Sequence, residues 1–138
     1  MADRLIDVNY IQIPEYDWGA MNVYEESAKL FKALMHPARL EILDILRDGE
    51  ACVCHIEAAL GQRQAYISQQ LSVLREAGLV QDRRDGWNVH YRVVQPQVFA
   101  LLDVASAMVG GARKSPQRKA AMHNCACPQC SSVETVVA

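Results

Sequence analysis

The sequence lacks the features that mark membrane and secreted proteins. No apolar run in its 138 residues approaches the roughly 18 residues that cross a bilayer. The N-terminal stretch MADRLIDVNYIQIPEYDW has no basic segment followed by an apolar one, so it is not typical of a secretory signal. We therefore expect a cytoplasmic protein with no membrane partner.

Catalytic motifs are missing as well. The chain has no His-Glu-x-x-His, no glycine-rich phosphate loop and no Gly-x-Ser-x-Gly. None of the five cysteines is followed by an arginine six residues later, as a phosphatase-like arsenate reductase requires. We therefore do not expect an enzyme.

A strong net charge is also absent, since the formal charge is −2 at pH 7. The distribution is nevertheless uneven. The first 27 residues carry six acidic side chains and one basic one, whereas the rest carries 13 basic and 10 acidic. Arg83, Arg84 and Arg92 lie close together in the sequence. Because a local basic patch matters more than total charge for a groove-binding surface, a nucleic-acid partner remains open.

Hydrophobic periodicity predicts five helices. They span residues 21–35, 36–48, 53–60, 62–77 and 96–109. Pro37 suits the first turn of the second helix. Gly49, Gly61 and Gly78 follow the ends of the second, third and fourth helices.

Between the fourth and fifth helices the period changes to two. The stretch LVQDRRDGWNVHYRVV alternates apolar with polar residues, and Asp85-Gly86 supplies a turn, which predicts a β-hairpin. Two short helices joined by a glycine turn and followed by a β-ribbon are typical of a winged helix-turn-helix. We therefore expect a mainly α fold with one hairpin. It would occupy residues 21–111, between an N-terminal arm at 1–20 and a flexible cysteine-containing tail at 112–138.

The fourth helix has the polar face that base recognition requires. Gln64, Ser68 and Gln69 lie opposite its apolar stripe, and glutamine can read adenine bidentately in the major groove. Arg63 and Tyr66 near its start are candidates for phosphate contacts.

The predicted hairpin adds Arg83, Arg84 and His90 around its tip, where a wing would lie along the DNA backbone or the minor groove. Polar helix faces are common on ordinary solvated helices. The combination of two helices at this offset with a basic hairpin therefore indicates DNA binding better than any single residue does.

An odd number of cysteines in a reducing compartment favours thiolate chemistry over a disulfide framework. Cys52 and Cys54 precede the third helix's apolar run. On a continuous helix they would point about 200° apart, but a residue at the helix start is not yet helical, so Cys52 can turn toward Cys54. The helix N-terminus also favours the thiolate. The alternative is that both are small buried hydrophobic residues.

Three further cysteines, Cys125, Cys127 and Cys130, lie in HNCACPQC. They can supply one thiolate for a trigonal ion or two for a four-coordinate one. With His123 they could instead form a metal or iron–sulfur site of their own. Thiolates favour As(III) and Sb(III), with Cd(II), Pb(II) and Zn(II) as further candidates.

The segment ACVCHIEAALGQRQAYISQQLSVLREAGLVQDRRDGWNVHYRV resembles the core of the ArsR/SmtB family of metal- and metalloid-responsive repressors. The resemblance rests on Cys-Val-Cys before the turn, Ser-x-x-Leu in the fourth helix, Leu-x-x-x-Gly-Leu-Val after it and Gly-x-x-x-x-Tyr in the hairpin. It covers roughly residues 24–108. The resemblance implies a homodimer joined through its first and last helices, which binds an operator palindrome and releases it when an inducer binds. Gln64, Ser68 and Gln69 match the family's recognition positions.

The sequence also departs from the family. Arsenic sensors of this type can have a third cysteine in the helix, where this chain has Glu57. A second family site on the last helix combines Asp and His, but residues 98–112 contain Asp103 and no histidine, so we expect that site to be absent. His55 is expected to be solvated or to lie behind the ligands, and His36 to lie at a helix start.

Together these observations predict a DNA-binding repressor that releases its operator on binding As(III) or Sb(III) through cysteines. The alternative is the same DNA-binding module sensing Cd, Pb or Zn, or acting as a thiol redox or persulfide sensor.

Overall fold

A computed structural model describes residues 22–111. The predicted arm at 1–20 and the tail at 112–138, with Cys125, Cys127 and Cys130, lie outside the described residues. The chain divides into two units after Lys32, and the residues of the candidate site described below lie in the second unit.

Five α-helices form close to where periodicity predicts them. They are α1 (Val23–Leu34), α2 (Pro37–Ile45), α3 (Val53–Leu60), α4 (Gln64–Glu76) and α5 (Gln97–Val109), with a short 3-10 helix at Leu46–Asp48. Asn22 begins α1, since its Oδ1 accepts the N–H of Tyr24 at 3.0 Å. Gly61 ends α3 in the left-handed conformation, with φ of 64°, which allows the tight turn into α4.

The hairpin belongs to a three-stranded antiparallel sheet. Its strands are β1 (Ala51–Cys52), β2 (Val80–Asp85) and β3 (Asn88–Val93), in the order β1-β3-β2. Sequence analysis missed β1. It also placed the turn one residue early, because Asp85 still pairs with Asn88 and the loop residues are Gly86 and Trp87.

The core lies between α2, α3 and α4. The fully buried side chains include Ile42, Leu43, Ile56, Ile67, Leu71 and Leu74. The apolar face predicted for α4 is thus confirmed. Leu40 of α2 is apolar but partly exposed.

α3, the Gly61 turn, α4 and the β2–β3 hairpin follow one another as in a winged helix-turn-helix, which confirms the predicted fold class. Within residues 22–111, every helix is too short or too polar to cross a bilayer.

Candidate DNA interface and thiol site

α4 has one buried and one exposed face. Gln64, Ser68 and Gln69 are exposed, whereas Ile67 and Leu71 on the opposite face are fully buried. The three polar side chains expected to read bases are therefore accessible on a helix fixed by the core. Such rigid placement is what base recognition in the major groove requires.

The first turn of α4 contacts the start of α2. His36 caps α2 as expected for a helix-start residue: its Nδ1 accepts the N–H of Ala38 at 3.2 Å. Because Nδ1 accepts, the proton of the neutral imidazole is on Nε2, which lies 3.5 Å from the Tyr66 hydroxyl. The imidazole then donates to Tyr66, and the phenolic hydrogen is left available for a phosphate. Arg63, also near the start of α4, is exposed.

A second polar contact joins α2 to α4. Arg39 Nε donates to Gln70 Oε1 at 2.8 Å, and Arg39 Nη1 donates to the carbonyl of Ala33 at 3.1 Å. Gln70 is buried although it belongs to the predicted recognition helix. Sequence analysis missed this contact, but Gln70 lies three residues after Ile67, on the buried side of the helix, and that spacing was an available signal.

The arginines of the hairpin have different surroundings. Arg83 Nε donates to Glu50 Oε2 at 3.2 Å, and the hydrogen bond from Arg83 lowers the pKa of the Glu50 carboxyl. Arg92, which is exposed, donates to Gln81 at 2.9 Å. Arg84 is exposed and makes no ion pair with any of residues 22–111. The hairpin therefore presents Arg84 and Arg92 to solvent, with Arg83 held toward Glu50.

His90 is not at the surface. Only 4% of it is exposed, and its Nδ1 lies 4.0 Å from Glu50 Oε1. The strand alternation placed it with exposed residues, but β1 pairs with β3 at this position. This burial argues against the predicted contact of His90 with DNA.

Cys52 occupies a structural position at the start of α3. It is the N-cap of the helix, its Sγ accepts the N–H of His55 at 3.3 Å, and only 1% of the residue is exposed. Cys54 is half-buried one residue inside the helix. His55 is buried, which excludes the solvated alternative and is compatible with a position behind the ligands.

Within residues 22–111, no group of three or more His, Cys, Asp or Glu side chains is close enough to hold a metal ion. Ion binding by Cys52 and Cys54 would therefore require Cys52 to turn outward and a further ligand from the rest of the chain or from a partner.

Asp103 on α5 is engaged by an arginine. Arg47 Nη2 lies 3.0 Å from Asp103 Oδ1, and Arg47 Nε donates to Asp44 at 3.1 Å. The same guanidinium lies over the ring of Phe99, 4.9 Å from its centroid. The carboxylate of Asp103 therefore forms an ion pair with Arg47 within the described residues.

Residues 36–82 match the model of the family described as "Bacterial regulatory protein, arsR family". Over 106 residues the chain is 38% identical to the biofilm growth-associated repressor of Agrobacterium fabrum, covering 77% of this chain and 87% of the relative. The chain belongs to the arsR family.

The names of two other similar proteins refer to arsenic and antimony. The chain is 41% identical over 106 residues to the arsenical resistance operon repressor of Escherichia coli, covering 75% of this chain and 87% of the relative. The crystal structure of the AntR antimony-specific transcriptional repressor is 34% identical with a TM-score of 0.58, covering 63% of this chain and 79% of that one.

A second solved structure supports the architecture of the arsR-family domain. The homodimeric winged helix-turn-helix DNA-binding domain of Mb0332 from Mycobacterium bovis is 32% identical with a TM-score of 0.60, covering 71% of this chain and 90% of that one. The protein is thus a DNA-binding transcriptional repressor of the arsR family, and its relatives are regulators and not enzymes.

Proposed function

We propose that the protein is an inducer-responsive repressor of the reducing cytoplasm, which holds operator DNA until its cysteines capture As(III) or Sb(III). The observation that carries this proposal is the double position of Cys52. It is both the last residue of β1 and the N-cap of α3. Capture of this one sulfur by an ion would therefore disturb both the helix behind α4 and the sheet that includes the hairpin.

The proposed DNA interface consists of α4 and the hairpin. Gln64, Ser68 and Gln69 would read bases, and their exposure supports that role. Arg63, Tyr66, Arg83 and Arg84 would position the protein on the phosphates.

The proposed switch follows from the inward orientation of Cys52 Sγ. To share an ion with Cys54, this sulfur must give up the N–H of His55. That movement also strains the pairing of Cys52 with His90 on β3. A useful switch needs a coupling free energy of roughly 1–3 kcal/mol between ion binding and DNA binding, which is in the range of one helix cap and a few strand hydrogen bonds.

The chemistry of the ligands supports soft ions. Cys52 and Cys54 provide two thiolates, and Cys125, Cys127 or Cys130 would complete the set from residues outside those described. The names of the Escherichia coli relative and of AntR favour arsenic and antimony over Cd(II), Pb(II) and Zn(II).

The active form is proposed to be a homodimer, as the Mycobacterium bovis domain is. On α5, Val104, Met108 and Val109 are exposed although all three are apolar. Burial of this face against a second copy would remove apolar surface from water and would place two recognition helices on one palindromic operator.

Operator release by inducer tests the proposal. DNA binding of the full chain is followed by fluorescence anisotropy while As(III), Sb(III), Cd(II), Pb(II) and Zn(II) are titrated in parallel. We expect As(III) or Sb(III) to release the DNA, and Cys52→Ser to bind DNA normally but to resist release. Cys54→Ser tests the second thiolate, and Val53→Ala is the matched control between them.

A Cys52→Ser protein that responds fully to the ion would contradict the proposed site. Native mass spectrometry of the treated protein separates the remaining alternative. A mass increase by the bound ion supports ion capture, whereas a disulfide or polysulfide mass would identify a thiol redox or persulfide sensor.

A further inference from the structure

Trp87 lies at the apex of the hairpin and is the most exposed large hydrophobic residue of the described chain, at 101% relative accessibility. It is the second residue of the two-residue loop between Asp85 and Asn88. Gly86 before it has φ of 61°, and no residue other than glycine has a positive φ within residues 22–111. This combination is that of a type II′ turn, which twists with the strands and holds its second residue outward.

The surroundings of the indole are open. A β-carbon at Gly86 would have no neighbour within 4 Å among the described residues, so the backbone beside Trp87 is clear as well. The indole contributes nothing to the core of the described residues. Packing within this part of the chain therefore does not account for a tryptophan here.

We propose that Trp87 is a wedge that enters the minor groove of bound DNA and partly unstacks one base step. Apolar side chains of minor-groove proteins act in this way, and opening the step kinks the duplex. The indole is flat enough to lie against an exposed base. Its one N–H can donate to adenine N3 or thymine O2 on the groove floor.

The partner is DNA because of what accompanies the indole. Arg84 and Arg92 on the two strands of the hairpin are both exposed, and a phosphate backbone on either side of the groove is complementary to them. The hairpin also directly follows α4, so both elements lie in one DNA-binding module. The other candidate partner for an apolar tip is a second copy of the chain. Contact with a second copy would not explain why two exposed arginines accompany the indole.

A wedge of this kind gives specificity without base hydrogen bonds. Pyrimidine–purine steps such as TA and CA open and kink most easily, so the position under each Trp87 would favour them. This inference rests on the DNA interface of the proposed function but not on its inducer. The experiment is therefore done without any metal ion, and its failure leaves the inducer proposal untouched.

The experiment uses the full chain and a duplex of about 40 base pairs selected by that chain from a random pool, long enough for two half-sites. The chain has two tryptophans, so Trp18→Phe leaves Trp87 as the single emitter. We expect its emission to change on DNA binding and to become protected from iodide. We also expect energy transfer between dyes at the DNA ends to report a bend.

Trp87→Ala should lose the bend and about tenfold in affinity, and Trp87→Phe should recover part of both. Because the indole is uncharged, the slope of log K against log salt should stay the same, whereas Arg84→Gln should reduce it by about one. Val94→Ala removes a partly exposed apolar side chain from the base of the hairpin and should change none of these values.

A Trp87→Ala protein with unchanged affinity and bend would overturn the proposal. So would a change of sedimentation coefficient in Trp87→Ala with an unchanged bend, which would show that the tip contacts a second copy. Unaltered thermal unfolding of Trp87→Ala is expected, since the side chain packs against none of the described residues, and it excludes misfolding as the cause of lost binding.

Discussion

Cys52 on β1 lies directly opposite His90 on β3, the strand that also forms one side of the hairpin. Both side chains are buried, and Glu50 lies next to them with its carboxylate held by Arg83 of β2. The thiol proposed to bind the inducer and the wing proposed to bind DNA therefore belong to one sheet. We therefore expect a motion of this thiol to reach the hairpin through the sheet, without passing through α4.

The cap position of Cys52 predicts that alanine and serine have different effects. Cys52→Ala removes the acceptor for the N–H of His55 and should lower the free energy of unfolding by about 1–2 kcal/mol. Cys52→Ser keeps an oxygen acceptor and should cost less. Urea denaturation measures both, with Cys54→Ala as the control at a half-buried site. Equal losses for alanine and serine would contradict the cap.

The Arg39–Gln70 contact predicts strong coupling between α2 and α4. Arg39→Met removes the hydrogen-bond donor of the buried Gln70 amide oxygen and should lower the free energy of unfolding by about 1–2 kcal/mol. The double variant with Gln70→Met removes both polar partners, so it should be more stable than the sum of the single changes predicts. A double-mutant cycle in urea measures this, and an additive result would show that the contact carries no energy.

The DNA interface predicts two classes of variant. Arg63→Gln should weaken binding to all duplexes and lower the salt slope by about one. Gln69→Ala should weaken binding to the selected operator by about 1–3 kcal/mol, with the salt slope unchanged. Anisotropy titrations over a range of salt concentrations separate the two. Exposed Glu41 on α2 offers a control, since Glu41→Gln should affect neither base discrimination nor the fold.

Arg47 is expected to stabilise α5 against the end of α2. Arg47→Met removes the ion pairs with Asp103 and Asp44 and the contact with Phe99. Because Asp103 is about half exposed, the total cost should be about 1 kcal/mol. Asp103→Asn should cost a fraction of this, as measured by thermal unfolding. A larger loss of stability for Asp103→Asn than for Arg47→Met would show that the carboxylate has a further role.

The raised pKa of the Tyr91 phenol predicts that the protein loses stability at alkaline pH. Burial raises the pKa of this phenol above the ordinary value of 10.0. Below pH 10 the phenol is neutral in the folded and unfolded states alike, so it makes no pH-dependent contribution. Above that pH the unfolded chain loses the proton first, and stability falls by up to about 1.4 kcal/mol per pH unit until the folded phenol also ionises.

The control for this effect is Tyr91→Phe. Other groups titrate in the same range, so the relevant quantity is the difference in unfolding free energy between the two proteins from pH 9 upward. As the pH rises, the protein with Tyr91 should lose stability relative to the Tyr91→Phe protein. A pH-independent difference would mean that the phenol is solvated.

The helices and the hairpin were predictable because their signals are local. The spacing of Ile67, Leu71 and Leu74 specifies the buried face of α4 within eight residues of sequence. β1 was not predictable in this way, since two residues cannot show a period and their partners on β3 lie far along the chain. The burial of His90 follows from β1 and was missed with it.

Some features of the candidate site also follow from the local sequence, whereas others depend on tertiary packing. Which side chains α4 exposes follows from periodicity, whereas the Arg39–Gln70 bond joins residues 31 positions apart and depends on how two helices pack. The cap made by Cys52 Sγ lies between these cases. The helix start was predictable, but that the thiol is buried and accepts the N–H of His55 depends on the strand before it.

The brevity of β1 has an evolutionary consequence. A ladder of only two residue pairs, Ala51 with Tyr91 and Cys52 with His90, can be weakened or reinforced by single substitutions that leave both thiols in place. Under the proposed function, sensitivity to the inducing ion would then be adjustable in small steps, independently of which ion is recognised. Lineages exposed to different concentrations of the same ion could then change the concentration at which the operator is released, while keeping both proposed ligand thiols.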